Sequence, residues 1–85
     1  MRVLEIKLEN KSGLHARPAS QFVSECQSFE AKIEVEKEGQ TVNGKSIMSL
    51  MTLGASYGDS IKVKAEGKDE EIAVKKLKNL IKTFK

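Results

Sequence analysis

At 85 residues the chain is too short for two domains, yet long enough for one modest core that needs no metal or disulfide to staple it; a single domain over residues 1–85 is expected. Its one cysteine, Cys26, excludes an internal disulfide, a paired-thiol redox motif and a multi-cysteine zinc site, and it fits a reducing compartment. Fifteen basic residues against twelve acidic ones leave a net charge of +3, so a nucleic-acid partner has to be weighed by where those charges lie.

Arg2 to Leu8 alternates, with Leu4, Ile6 and Leu8 on one side and Val3, Glu5 and Lys7 on the other, as in a half-buried strand. Asn10 to Gly13 is a polar loop. From Ala16 the period changes, and Ala19, Phe22, Val23 and Cys26 predict a first helix from about Ala16 to Ser28. Alternation returns at Lys32 to Lys37, and Glu38-Gly39 turns the chain into a short strand, Gln40 to Asn43. Ser46 then stands as N-cap and Gly54 as C-cap of a short second helix. Ser60 to Glu66 alternates once more. Beyond Gly67, Asp69 is placed to cap a last helix carrying Ala73, Leu77, Leu80, Ile81 and Phe84. The order βαββαβα favours an α+β fold in which helices cover one sheet face and leave the other to solvent.

The basic residues do not form a nucleic-acid footprint. Lys75, Lys76, Lys78, Lys82 and Lys85 gather toward the end of the last helix, where cations complement the dipole, and the others interleave with Glu. The aromatic residues are Phe22, Phe29, Phe84 and Tyr57; none falls in a predicted strand, and no GxxG clamp occurs, so direct nucleic-acid binding is not expected. A charge interrupts the first apolar run at once, and no stretch approaches membrane-spanning length, so no secretory leader or membrane insertion is expected and a cytoplasmic location is.

Gly13-Leu14-His15-Ala16-Arg17-Pro18-Ala19 is the segment richest in chemistry. Pro18 has no N–H to lose, fixes φ at a helical value and keeps Arg17 out of a helix interior, which sets the helix start here. The amides of Ala16 and Arg17 then lack intrahelical acceptors and can point outward beside the His15 imidazole. Arg17 adds a guanidinium suited to phosphate oxygens, and Gly13 lets the entering chain bend. This positive setting favours a neutral, nucleophilic imidazole, and the same groups would hold a phosphoryl group once it is attached. A plain surface histidine beside a helix cap is the bland alternative; an ordinary cap would use Ser, Asp or Asn, with no call for an exposed Arg followed by Pro.

That segment, together with Asn43-Gly44-Lys45-Ser46-Ile47-Met48, resembles HPr, the histidine-containing phosphocarrier of the bacterial sugar phosphotransferase system, over the whole chain. The resemblance implies an open-faced β-sandwich: a four-stranded antiparallel sheet covered on one face by three helices. It implies that Enzyme I, charged by phosphoenolpyruvate, phosphorylates Nδ1 of His15 with help from Arg17, and that enzyme IIA domains receive the group. No cofactor and no metal are expected, and a monomer is.

The second helix carries Leu50 and Leu53 on one side, while Ile47, Met48 and Met51 extend the apolar arc past half the circumference. A short surface helix cannot bury all of these, so Ile47, Met48 and Met51 make a candidate docking patch for several partners; core filling is the alternative, stronger for Met51 than for Met48. From its chemistry alone Ser46 reads as a simple N-cap. The resemblance implies more: in Gram-positive-type HPr this serine is phosphorylated by an HPr kinase/phosphorylase, and the product acts with a catabolite-control transcription factor. A dianion there suits the helix start but places charge amid the apolar patch.

Two other readings remain. A Cys–His hydrolase fails on distance, because His15 and Cys26 bracket one helix roughly 16 Å apart along its axis. An HPr-like regulatory paralogue acting mainly in catabolite repression would keep the serine; in that group the active histidine is replaced, and here His15 is intact.

Overall fold

The computed structural model describes residues 1–84; Lys85, counted above among the basic residues of the last helix, lies outside them. Seven elements follow in order: β1 (Arg2–Lys7), α1 (Ala16–Cys26), β2 (Lys32–Lys37), β3 (Gln40–Asn43), α2 (Ile47–Leu53), β4 (Ser60–Glu66) and α3 (Glu70–Thr83). The strands form one sheet in the order β1-β4-β2-β3, with every neighbouring pair antiparallel. This is the open-faced α+β sandwich that the order of elements and the resemblance implied.

Strand alternation decides the two faces. Ile33 and Val35 of β2 and Ile61, Val63 and Ala65 of β4 are buried, and they pair as Ile33 with Ala65 and Val35 with Val63. Over them lie Ala19, Phe22, Val23 and Cys26 of α1, Leu50 and Leu53 of α2, and Ala73, Leu77 and Ile81 of α3 in one continuous core. The apolar stripe of α1 is its buried stripe, as the 3.6-residue period requires, whereas α2 buries only Leu50 and Leu53 of its wider apolar arc. The opposite sheet face is a ladder of charge: Glu34 stands opposite Lys64 and Glu36 opposite Lys62, and Lys64 also makes an ion pair with Glu36. Such cross-strand pairs keep a solvated face paired without an apolar cover.

The expected boundaries hold to within two residues, and the departures have local causes. The first helix stops at Cys26 rather than Ser28, with Gln27 as its C-cap; the Ser28 hydroxyl donates to the Glu25 carbonyl at 2.6 Å, so a serine side chain takes over where the helical ladder ends. Leu8 lies just past β1 and is fully buried, its amide donating to Asp59 at 2.8 Å. Gly54 ends α2 in the left-handed conformation at φ 65°, which a glycine adopts without a Cβ penalty.

Asp69 corrects the sequence reading. It occupies the N-cap position of α3 but makes no side-chain capping bond. Its two carboxylate oxygens instead accept the amides of Glu30, at 2.9 Å, and Ala31, at 2.8 Å. The turn leading into β2 would otherwise leave those two donors unpaired, and tertiary proximity gives the carboxylate a better use than its own helix does. The Glu30 amide is the first cause holding the Asp69 carboxyl below the usual carboxylate range. Glu70 closes the turn instead, its Oε1 accepting the Gly67 amide at 3.0 Å.

Candidate functional site

His15 is the N-cap residue of α1, in extended backbone with φ −76° and ψ −173°. Its amide donates to the Ser12 carbonyl at 3.2 Å and its carbonyl accepts the Ala19 amide at 2.8 Å. The backbone of His15 is thus committed on both sides. The ring is exposed, makes no capping bond and is left to solvent.

The next two amides, those of Ala16 and Arg17, have no acceptor among the described residues. Both residues are exposed, whereas Pro18 and Ala19 are buried and seat the helix on the core. The chain therefore changes from open to packed within two residues, and the first unpaired donors of the helix directly follow the histidine in the chain. Arg17 enters no ion pair among the described residues, and with Ser12, Pro18 and Gln21 it lines a shallow groove closed by Thr83 and Phe84 at the end of α3. Among those residues, too, no cluster of three His, Cys, Asp or Glu could hold a metal.

The loop before His15 is clamped to the loop after α2. The Leu14 amide donates to the Ala55 carbonyl at 3.0 Å. Gly13, at φ 54°, comes so close that a Cβ there would lie 2.5 Å from the Ser56 Cα and 2.7 Å from the Ala55 oxygen. Both the left-handed conformation and the approach demand glycine. Sequence reasoning found Gly13 through the bend; it could not see the neighbouring backbone that makes the residue irreplaceable.

The Ala55–Asp59 loop is itself braced. Asp59 Oδ2 accepts the Ser56 amide at 2.8 Å and its hydroxyl at 3.1 Å, and meets Lys37 Nζ at 3.2 Å. These bonds, the Ser56 amide first, hold the Asp59 carboxyl below its ordinary range. Leu8 and Asp59 segments are stitched by two further backbone bonds, Leu8 to Asp59 and Gly58 to Leu8, each 2.8 Å. The sequence reading passed over Lys37 and Asp59; an Asp three residues after Ser in a Gly-containing turn is the signal that marks such a brace.

The second predicted region lies on α2. Ser46 is its N-cap, and its hydroxyl accepts the Ser49 amide at 3.3 Å. Lys45 beside it donates through Nζ to the Phe29 carbonyl at 2.7 Å, tying the start of α2 to the segment that follows α1. Leu50 and Leu53 face the core, while Ile47, Met48 and Met51 are 39%, 76% and 46% exposed. Tyr57, 66% exposed in the loop that braces Gly13, adds an apolar ring that the sequence reading did not single out. Cys26, by contrast, is fully buried, and burial pushes its thiol up to about 12, which suits packing and no reaction.

The exposed histidine is followed by two helix-start amides without acceptors and by a guanidinium outside any ion pair among the described residues, and comparison with known proteins places the chain in a family. Residues 4–83 match the family model described as PTS HPr component phosphorylation site. The chain is 46% identical over 74 residues to the phosphocarrier protein HPr of Borreliella burgdorferi, covering 87% of this chain and 86% of that protein. It is also 44% identical over 73 residues to the HPr-like protein Crh of Bacillus subtilis, covering 86% of each; a crystal structure of Crh described as a swapped, intertwined dimer matches with a TM-score of 0.77 at 40% identity, over 96% of this chain and 94% of that one. The crystal structure of HPr from Thermoanaerobacter tengcongensis superposes with a TM-score of 0.95 at 49% identity, over 98% of this chain and 93% of that one. With fold, length and the His15 segment in agreement, this chain belongs to the HPr phosphocarrier family of the phosphotransferase system.

Proposed function

We propose that this chain is a cytoplasmic single-domain carrier that accepts a phosphoryl group on His15 from phosphorylated Enzyme I and delivers it to enzyme IIA domains during sugar uptake. The observation that carries this reading is the exposed ring of His15 beside the unpaired amides of Ala16 and Arg17. Nδ1 of a neutral imidazole attacks the phosphorus on the donor's histidine; one P–N bond forms as the other breaks, the acceptor ring gives up its Nε2 proton and the departing donor ring takes up one, so both rings end neutral. The amides and the Arg17 guanidinium balance the charge of the phosphoryl oxygens on arrival and departure. An exposed site with no enclosing pocket lets a second protein reach the same phosphorus from the far side. Ile47, Met48 and Met51 supply the adaptable apolar surface on which Enzyme I and IIA domains dock in turn, and the carrier works as a monomer.

Ser46 is the regulatory position in this reading. A phosphate on its hydroxyl places two negative charges at the edge of the docking patch and weakens Enzyme I binding, through which an HPr kinase/phosphorylase and a catabolite-control transcription factor would act. The likeness to Crh favours a second reading, in which that regulatory branch dominates.

Incubation with Enzyme I and phosphoenolpyruvate, and separately with HPr kinase and ATP, distinguishes them. The carrier reading expects acid-labile phosphate that vanishes in His15→Ala and acid-stable phosphate that vanishes in Ser46→Ala. Wild-type protein that takes only acid-stable phosphate would establish the regulatory reading instead.

A further inference from the structure

Asn10 is the polar residue that the fold buries: it is 6% exposed, and no other polar or charged residue among those described is buried. Its Nδ2 donates to the Gly13 carbonyl at 2.8 Å, and its own backbone carbonyl accepts the Gly13 amide at 3.1 Å. Both hydrogen-bonding groups of Gly13 are therefore held by one residue. The remaining atom of the side chain, Oδ1, is equally buried and meets no donor among the described residues. A buried oxygen without a donor costs free energy, and folded chains carry few of them. An apolar side chain at this place would remove that cost and leave the Gly13 carbonyl bare, so what distinguishes Asn here is its grip on that carbonyl.

Gly13 lies between this grip and the Ala55–Ser56 backbone, which leaves no room for a Cβ. The Leu14 amide is fixed to Ala55 in turn. His15 comes next, and its ring makes no hydrogen bond of its own among the described residues, so the ring is held only through its backbone, which the Gly13–Leu14 turn leads into and the bonds to Ser12 and Ala19 fix.

We infer that Asn10 is a positioning residue for phosphoryl transfer: through the Gly13 carbonyl it fixes the turn that presents the His15 ring to its donor, without touching the phosphate itself. The inference rests on the carrier reading and deepens it. Two variants probe it. Asn10→Asp keeps the shape of the side chain but sets an acceptor where Nδ2 donated, and Asn10→Ser, with a hydroxyl donor of shorter reach, replaces it by the same criteria if the first does not fold.

In steady-state transfer from phosphorylated Enzyme I, the folded variant should lose between about tenfold and a hundredfold in kcat, with KM for the carrier within about twofold because the α2 surface is untouched. A folded variant with unchanged kcat, or one that changes KM alone, overturns the inference. NMR of the unphosphorylated protein gives a second readout that needs no partner: the His15 ring nitrogens and the Ala16 and Arg17 amides should shift while resonances of residues 47–53 hold. Unmoved His15, Ala16 and Arg17 resonances overturn it as well. If wild-type protein accepts no phosphate, the carrier reading falls, and the NMR result alone decides whether Asn10 sets the ring.

Discussion

At the start of α2 the Ser46 hydroxyl accepts the Ser49 amide; at the start of α1 the same capping position holds His15, and the amides of Ala16 and Arg17 go without an acceptor. A side-chain cap is worth about 1 kcal/mol, which α1 forgoes. The difference teaches that the two helix starts are built for different ends. The first is seated by Pro18, Ala19 and the Leu14–Ala55 bond, so it keeps its place without a cap, and in the proposed carrier its free donors would meet an incoming anion. The second closes on itself, and its surface significance lies in the exposed Ile47, Met48 and Met51 beside the capping hydroxyl.

The sharpest way to break the contrast is to give α1 the cap of α2. His15→Ser sets a hydroxyl at an extended N-cap whose backbone already suits one; phosphoryl uptake from Enzyme I should vanish while chemical denaturation shows a gain of about 0.5–1 kcal/mol. Unchanged or lower stability would mean that the α1 amides are not free to be capped. Next in size is Gly13→Ala, which forces a side chain into left-handed backbone and against Ser56. A loss of about 2 kcal/mol or more in urea unfolding is expected, with slower transfer, because the loop must move to fold at all.

Removing the other cap should do less. Ser46→Ala is expected to cost about 0.5–1 kcal/mol, at the low end for a bond of 3.3 Å, and to leave the initial rate of His15 phosphorylation as it was. A drop in that rate would show that the cap and the carrier site are coupled.

The smallest effect concerns the braces behind the site. Asp59 is held low by the Ser56 amide and then by Lys37, and Asp69 by the Glu30 amide. A carboxylate whose folded value is depressed stabilises the fold fully above its unfolded value of about 4 and loses that contribution as pH falls through the folded one. Melting temperature should therefore fall on acidification below about pH 4, and Asp59→Asn should flatten that fall. An identical acid slope in wild type and variant would count against the brace.

What could be read in advance follows from how local each signal is. The strand and helix periods, Pro18 at the first turn, Ser46 and Gly54 at the ends of α2, and the core positions Phe22, Val35 and Val63 all depend on near neighbours in the chain. The misreading of Asp69 shows the limit: an aspartate before a helix has every local reason to cap it, but the amides of Glu30 and Ala31, nearly forty positions away, compete for the same oxygens. The pairing of Lys37 with Asp59, more than twenty positions apart, is hidden for the same reason.

The sequence by itself determined the order of elements, the faces that pack, and a histidine poised where a helix must start, since periodicity, proline and capping chemistry act over a few residues. Only the tertiary structure decided what holds that histidine in place. Ala55 on Leu14 and Lys37 on Asp59 join segments far apart in the chain that strand pairing brings side by side, and the local bonds of Asn10 to Gly13 and Asp59 to Ser56 take their significance from the loops they brace, which depend on distances in space.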